Sequence, residues 1–330
     1  MEMKPKVSII VPVYNAALYL DASIASLLGQ SLQEIEIIIV NDGSSDGTGN
    51  VIDRLASEDG RIKALHLPEN MGVHEARIAG LTNAKAPWIG FLDSDDFARP
   101  SMYESMHSKA VSENVDIVVC GSYRVTPERK IIAAKYRFKQ NKKIEKNIFE
   151  LFCRLEFGTG SLCNKLYRRD IIKSCEDMHF PWRQSINEDL LMNIRCFRQA
   201  ESVYLCKDML HEYVLNHQSV TSTSNNAISY VNTYRAAALA VNMLAGLDRE
   251  SLLKVIDLYR TQLSWNDYQI DEIELIADYE DQLKEASDLM NRVYPPALAL
   301  LAARSPGAIG AKAALIVLIN RLFGYFKPGS

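Results

Sequence analysis

The amino-acid sequence predicts an α/β fold, with a mostly parallel central sheet covered by helices on both faces and a helical C-terminal extension. Short β-branched runs alternate with segments of helical period over the first 125 residues. Most of those runs are dominated by consecutive apolar residues rather than by strict alternation with polar ones, the pattern of strands buried on both faces. Beyond residue 225 only helical periodicity remains, which supplies the extension.

Each element follows in order. Val7–Val11 is the first strand, Leu18–Leu28 carries apolar residues at helical spacing, and Glu36–Val40 is the second strand, followed by a polar turn and a helix near Asn50–Ser57. Ile62–Leu67 is the third strand, Val73–Asn83 a helix, Trp88–Leu92 the fourth strand, Met102–Ser112 a helix and Asp116–Cys120 the fifth strand. Short connections between the two periods imply βαβ units. Past Tyr123 the pattern weakens. Lys130–Lys146 is basic and polar and reads as a hairpin or loop, Ile148–Phe157 and Ile186–Gln199 as helices, and Val203–Leu205 as a short strand. Ser229–Leu244 and Arg249–Asn291 read as helices, interrupted near Gly246 and stopped at Pro295 and Pro296.

Composition narrows the function. A chain of 330 residues with 48% hydrophobic and 24% charged residues is an ordinary globular sequence, long enough for two domains. A net charge of −4 offers no global basic field for a nucleic acid. No apolar run reaches the length of about 18 residues that a membrane-spanning helix needs. Met1–Lys6 is short and polar with no apolar signal core, so the expected location is cytoplasmic. Six cysteines are scattered without CxxC spacing, which argues against a zinc site or a disulfide framework.

In parallel α/β sheets ligands bind beyond the carboxyl ends of the strands, so the polar segments after each strand are the ones to read. Pro12, Val13, Tyr14 and Asn15 follow the first strand, and Asn41-Asp42-Gly43 with Asp46, Gly47 and Thr48 follows the second. Turn chemistry explains the latter on its own, with Gly43 permitting unusual backbone angles and Asp46 capping the next helix. In a functional reading, Asp42 accepts a hydrogen bond from the imide N–H of a pyrimidine while Tyr14 offers the ring a surface. After the third strand comes Asn70-Met71-Gly72, then Ala76 and Arg77, which equally reads as a turn glycine and a surface arginine.

The sharpest segment is Asp93-Ser94-Asp95-Asp96, directly after the fourth strand. Three carboxylates in four residues repel one another, and a divalent cation removes that repulsion. Magnesium and manganese favour one or two carboxylates together with substrate phosphates. A solvated acidic turn is the bland alternative, and the position at a strand end tips the reading towards metal. Glu188 and Asp189 open an amphipathic helix, where acids suit the helix dipole or supply a proton acceptor.

Taken together, in this order and spacing, these segments resemble glycosyltransferase family 2, densely over residues 7–125 and sparsely to about residue 224. Gly160–Arg169 also resembles the stretch that precedes the catalytic helix in the bacterial, single-module branch of that family. The resemblance implies the A-type (GT-A) nucleotide-diphospho-sugar transferase fold and inverting transfer. It implies a catalytic domain over residues 1–224, with a nucleotide-binding half 1–125 and an acceptor half 126–224, and a helical region 225–330. Pro12, Tyr14, Asp42, Arg77 and Asp93 would hold the nucleotide, Asp95 would ligate the metal (Mn2+ or Mg2+), and Asp189 would be the catalytic base. Asp96, Lys165, Glu188, His217 and Ser219 are candidate diphosphate or acceptor contacts. Val214 stands where the family commonly has an arginine in the loop that closes over the diphosphate, and His217 is one candidate substitute.

The implied donor is a nucleotide sugar, a UDP-sugar by the pyrimidine reading of Asp42, and the implied acceptor is a glycan or lipid-linked glycan of a surface polysaccharide pathway. Two other readings stay open: a non-catalytic nucleotide-sugar or carbohydrate-binding scaffold, and a sugar nucleotidyltransferase, whose glycine-rich phosphate loop is absent near the first strand. The segment 297–326 is rich in Ala and Leu, with Arg304, Lys312 and Arg321 and no acid. It reads either as an anchor on the inner face of a membrane or as a helix packed on the core or a partner.

Overall fold

The computed structural model describes residues 4–215, 226–263 and 279–302. By contact, the chain separates into two compact units whose segments interleave in sequence. The first comprises residues 1–148, 157–183 and 195–219, and the second 149–156, 184–194 and 220–330.

The first unit is built on β1 (Val7–Val13), β2 (Ile35–Asn41), β3 (Ile62–His66), β4 (Trp88–Phe91), β5 (Phe97–Ala98), β6 (Ile117–Val125), β7 (Ile131–Tyr136), β8 (Lys142–Ile144), β9 (Lys165–Arg168) and β10 (Val203–Val214). The described strands form one sheet in the order β3-β2-β1-β4-β9-β6-β10-β5, with β7 beside β6 and β8 beside β10. β1 lies parallel to β2 and β4, and β2 to β3. β9 runs antiparallel to both β4 and β6, so it restores the common direction for β6 and its parallel neighbour β10. The six principal strands therefore all point one way, with helices on both faces.

β1 and β2 are buried at every position, which is why their sequences carry no polar alternation. Pro12 lies past Ile10–Phe91, the last β1–β4 pair, where its missing N–H costs no bond to β4. Among the covering helices, α1 (Leu20–Leu28) buries Leu20, Ile24 and Leu27, one face at helical spacing. α2 (Thr48–Glu58) buries Ile52 and Leu55. In α3 (Val73–Asn83) Gly80 allows close approach to the sheet, since a Cβ there would lie 2.4 Å from Ile10. α4 (Met102–Ser112) adds Tyr103 and Met106 to the core.

Several elements depart from the sequence reading. β5 and β9 are too short to carry a period, and β9 opens with a lysine. β10 runs for twelve residues rather than three, because its middle residues Lys207 and Asp208 are exposed and break the apolar run. The basic segment 130–146 yields two strands that pair with different neighbours, β7 with β6 and β8 with β10, rather than with each other.

The second unit is helical. It contains most of α5 (Ile148–Cys153), the start of α7 (Glu188–Gln199), α8 (Asn226–Leu244), α9 (Arg249–Leu263), α10 (Glu280–Val293) and α11 (Pro296–Ala302); the one-turn α6 (Arg169–Ile172) belongs to the first unit. Alanines 236, 237, 238 and 240 are buried along α8, whose Tyr234 hydroxyl lies 2.8 Å from Ser287 Oγ of α10. Leu252, Val255, Ile256 and Tyr259 give α9 its buried face. Residues 264–278 of the expected long helix, and the tail beyond 302, lie outside the described residues. Among the described residues no helix is long and apolar enough to cross a membrane. All six cysteines are buried thiols, and none forms a disulfide.

Candidate active site

The loops at the carboxyl ends of β1, β2 and β3 are stitched together by hydrogen bonds. Asn15 adopts a left-handed backbone (φ 48°); its N–H donates to Ser44 Oγ at 3.0 Å, and its side-chain oxygen accepts from Ser45 N–H at 2.9 Å. Asp46 accepts from Ala17 N–H at 3.2 Å and Thr48 N–H at 3.1 Å. Burial raises the Asp46 carboxyl, but these bonds and the Thr48 hydroxyl outweigh it and hold it below its ordinary value. Asp46 thus serves two loops, not only the helix start.

Asp42 is 3% exposed, and its two carboxylate oxygens accept from the N–H groups of Met71 and Gly72 at 2.7 and 2.9 Å. Each oxygen retains a second lone pair. The approach depends on Gly43 (φ +63°): a Cβ there would lie 2.3 Å from the Glu69 carbonyl carbon. Tyr14 is 48% exposed beside this clamp, so its ring is presented to solvent. Arg183, which the sequence reading did not single out, donates to Asn70 Oδ1 at 2.6 Å, with its guanidinium over Gly72.

At the end of β4, the buried Arg77 of α3 donates to Asp93 Oδ1 at 3.0 Å. Burial raises the Asp93 carboxyl, yet the guanidinium charge and hydrogen bonds from Arg77 and Cys163 hold it below the ordinary carboxylate value. Asp95 is partly exposed. Its charge reaches Tyr19, whose hydroxyl is raised by burial and then by Asp95 and Asp46. It also reaches Tyr213, pushed up to about 12 by burial and then by Asp96, Asp95 and Asp93. Over the Tyr213 ring lies the Lys135 ammonium of β7, 3.2 Å from the centroid. A cation is therefore carried to the acidic loop by a residue that sequence reading missed, because Lys135 was one of many lysines in a basic stretch.

Asp96 turns inward. It is 1% exposed, and its carboxylate takes His211 Nε2 at 3.0 Å and Val214 N–H at 2.9 Å. His211 Nδ1 lies 2.8 Å from Ser122 Oγ. A buried Ser122–His211–Asp96 chain thus ties the acidic loop to β6 and β10. Lys165 is also 1% exposed; its ammonium donates to the carbonyls of Thr159 and Ser161 and to Asn164 Oδ1. Both residues were expected as diphosphate or acceptor contacts, and both have their polar atoms engaged in the interior, where they brace loops.

Ligand atoms of Asp96, Cys163 and His211 lie within 4.8 Å of one another. As a metal set they fit poorly. Asp96 and His211 already bind each other, and burial, followed by Asp93 and Asp96, pushes the Cys163 thiol well above its usual value, which keeps it protonated. A hard divalent cation prefers oxygen donors, and in the same loop the carboxylates of Asp93 and Asp95 are partly exposed.

In the second unit, Asn187 (φ 67°) precedes α7; its amide donates to Thr233 Oγ1 at 3.2 Å and Gln262 Oε1 at 3.3 Å, fixing the helix start against α8 and α9. Asp189 is partly exposed, with one carboxylate oxygen accepting from Leu190 N–H at 2.7 Å. Glu188 is 6% exposed. His217 and Ser219 lie outside the described residues.

This architecture is that of the A-type nucleotide-diphospho-sugar transferases. The crystal structure of S. aureus TarS 1–349 in complex with UDP-GlcNAc matches it with a TM-score of 0.71 at 19% identity, over 96% of this chain and 88% of that one. The sequence pattern described as Glycosyl transferase family 2 matches residues 8–175. An uncharacterized glycosyltransferase of Bacillus subtilis (strain 168), EpsJ, is 33% identical over 229 residues, which is 66% of this chain and 64% of EpsJ. Cholesterol galactosyltransferase of Borreliella burgdorferi is 28% identical over 260 residues, 76% of this chain and 68% of that protein. The chain belongs to glycosyltransferase family 2. Its match to EpsJ spans a little under two thirds of that relative's length.

Proposed function

We propose that the chain is an inverting glycosyltransferase that moves a sugar from a nucleotide-sugar donor, a UDP-sugar by preference, to a hydroxyl of a glycan or lipid-linked glycan. One observation carries the reading: the strand-end loops converge on a single rim, where an exposed aromatic ring, the Asp42 clamp, the Arg77–Asp93 pair and partly exposed Asp95 adjoin. TarS, which shares this fold, was crystallised in complex with UDP-GlcNAc, which supports uridine as the nucleoside.

Tyr14 offers the base a face and Asp42 a remaining lone pair for the imide N–H. Asp93, held ionised by Arg77, receives the ribose. Asp95, with Asp93 beside it, would hold Mn2+ or Mg2+, which when bound neutralises charge on the diphosphate. Lys135 adds a cation to the same region and answers the absence of an arginine at Val214. In the reaction, the acceptor oxygen forms a bond to the anomeric carbon while the bond from that carbon to the diphosphate oxygen breaks. Asp189 takes the hydroxyl proton, and the nucleoside diphosphate leaves with the electron pair. A single displacement inverts the anomeric centre, so an α-linked donor gives a β-glycoside.

Release of nucleoside diphosphate from a panel of nucleotide sugars, with and without glycan acceptors and with EDTA or Mn2+, tests this. Acceptor-stimulated, metal-dependent release from a UDP-sugar is the expected result. Donor binding without turnover on any acceptor would favour a binding scaffold instead.

A further inference from the structure

Residues 129–146 carry eight basic residues and one acid, in a chain whose net charge is −4. The segment opens on β7, an edge strand that among the described residues pairs with β6 alone. Ile131 and Ile132 at its start are 56% and 52% exposed. Neighbours in a strand point to opposite faces, so both faces of the strand are uncovered here. Arg124, Lys130, Arg137 and Lys139 around them are exposed as well.

The strand register locates this feature. Ile131 lies opposite Val125 of β6, Val125 lies beside Val214 of β10, and the Val214 N–H donates to Asp96. The start of β7 is thus two strand spacings, about 10 Å, from the anchor of the acidic loop. Basic residues alone protect an edge strand from pairing with another chain. Two exposed isoleucines work against that protection, and the combination of apolar side chains with a cationic surround matches a surface that is both greasy and anionic. A soluble polyanion would satisfy the charges and leave the isoleucines in water.

We propose that the start of β7, with Ile131 and Ile132 ringed by Arg124, Lys130, Arg137 and Lys139, docks the carboxyl rim of the sheet on a bilayer bearing anionic phosphate headgroups. This goes beyond the transferase reading and does not depend on it. The full chain should float with phosphatidylglycerol-containing vesicles and not with pure phosphatidylcholine, and 0.5 M salt should weaken binding. Each basic residue at such a surface strengthens association about fivefold. The variant I131S/I132S/K130E/R137E should therefore lose at least about a hundredfold in vesicle affinity while its thermal melt stays at the wild-type temperature. No binding to anionic vesicles overturns the proposal, as does binding that the variant leaves undiminished, because another segment would then be the anchor. Tight capture of soluble polyphosphate without vesicle binding also overturns it, by making the strand a polyanion site.

Discussion

Asp189 and Lys135 pose the clearest questions about single side chains. If Asp189 takes the acceptor proton, Asp189→Asn removes the lone pair that does so while keeping size and hydrogen bonding. Turnover should fall about 100- to 10,000-fold, with donor affinity by calorimetry near wild type; retained turnover would remove Asp189 from the reaction. Lys135 carries its charge to the Tyr213 ring, beside the acidic loop. Lys135→Ala should lower kcat about a hundredfold with little change in KM for the donor, and Lys135→Arg should recover much of the loss. Equal kcat in the alanine and arginine variants would show that the charge has no part in catalysis. The strand-end acids were legible in the sequence because polar residues after buried strands are conspicuous. Lys135 was not legible, because its neighbours are equally basic and only the β6–β7 pairing selects it. The same limit applied to Asp96 and Lys165: a sequence shows that a residue is charged, and not whether it faces a ligand or the interior.

Among the elements, the loop after β2 is where local chemistry and long-range packing meet. Turn chemistry foresaw Gly43, and the left-handed φ agrees with it. The more demanding requirement is the approach of residues 69 and 70, which lets the Met71 and Gly72 amides reach Asp42. Gly43→Ala should therefore destabilise by at least about 2 kcal/mol, from overpacking and backbone strain together. It should also weaken UDP binding, as urea denaturation and calorimetry would show; unaltered stability would mean that the two loops part without cost. β9 illustrates the opposite case. Four residues opening on a buried lysine carry no strand signal, yet the strand fills the centre of the sheet because β4 and β6 both offer it hydrogen bonds. The chain Ser122–His211–Asp96 joins residues 115 and 89 positions apart, a relation that no local pattern encodes.

Across the whole molecule, Glu36 connects four parts of the parallel half. Its carboxylate accepts from Lys63, from the Ser8 hydroxyl, and from the N–H groups of Lys85 at 2.6 Å and Ala86 at 3.2 Å. Burial raises its pKa, but Lys63, Ser8 and the Lys85 N–H outweigh that and hold it below the ordinary value. A depressed folded pKa stabilises the protein above the unfolded value, about 4.3, and that contribution is lost as pH falls through the folded value. Stability by urea denaturation should thus drop between about pH 5 and pH 3, and less steeply in Glu36→Gln; parallel profiles for the two proteins would exclude this group from acid unfolding.

The sequence by itself determined the α/β class, the parallel half of the sheet and the rim on which the candidate site residues gather, because burial on both faces and turn chemistry are local properties written in consecutive residues. Tertiary structure alone decided that β9 runs against its neighbours, that Asp96 and Lys165 brace loops from within, that Lys135 stands over Tyr213, and that the compact units interleave along the chain. Those outcomes depend on which distant segments compete for the same hydrogen bonds and the same interior volume, and spacing along one chain does not record that competition.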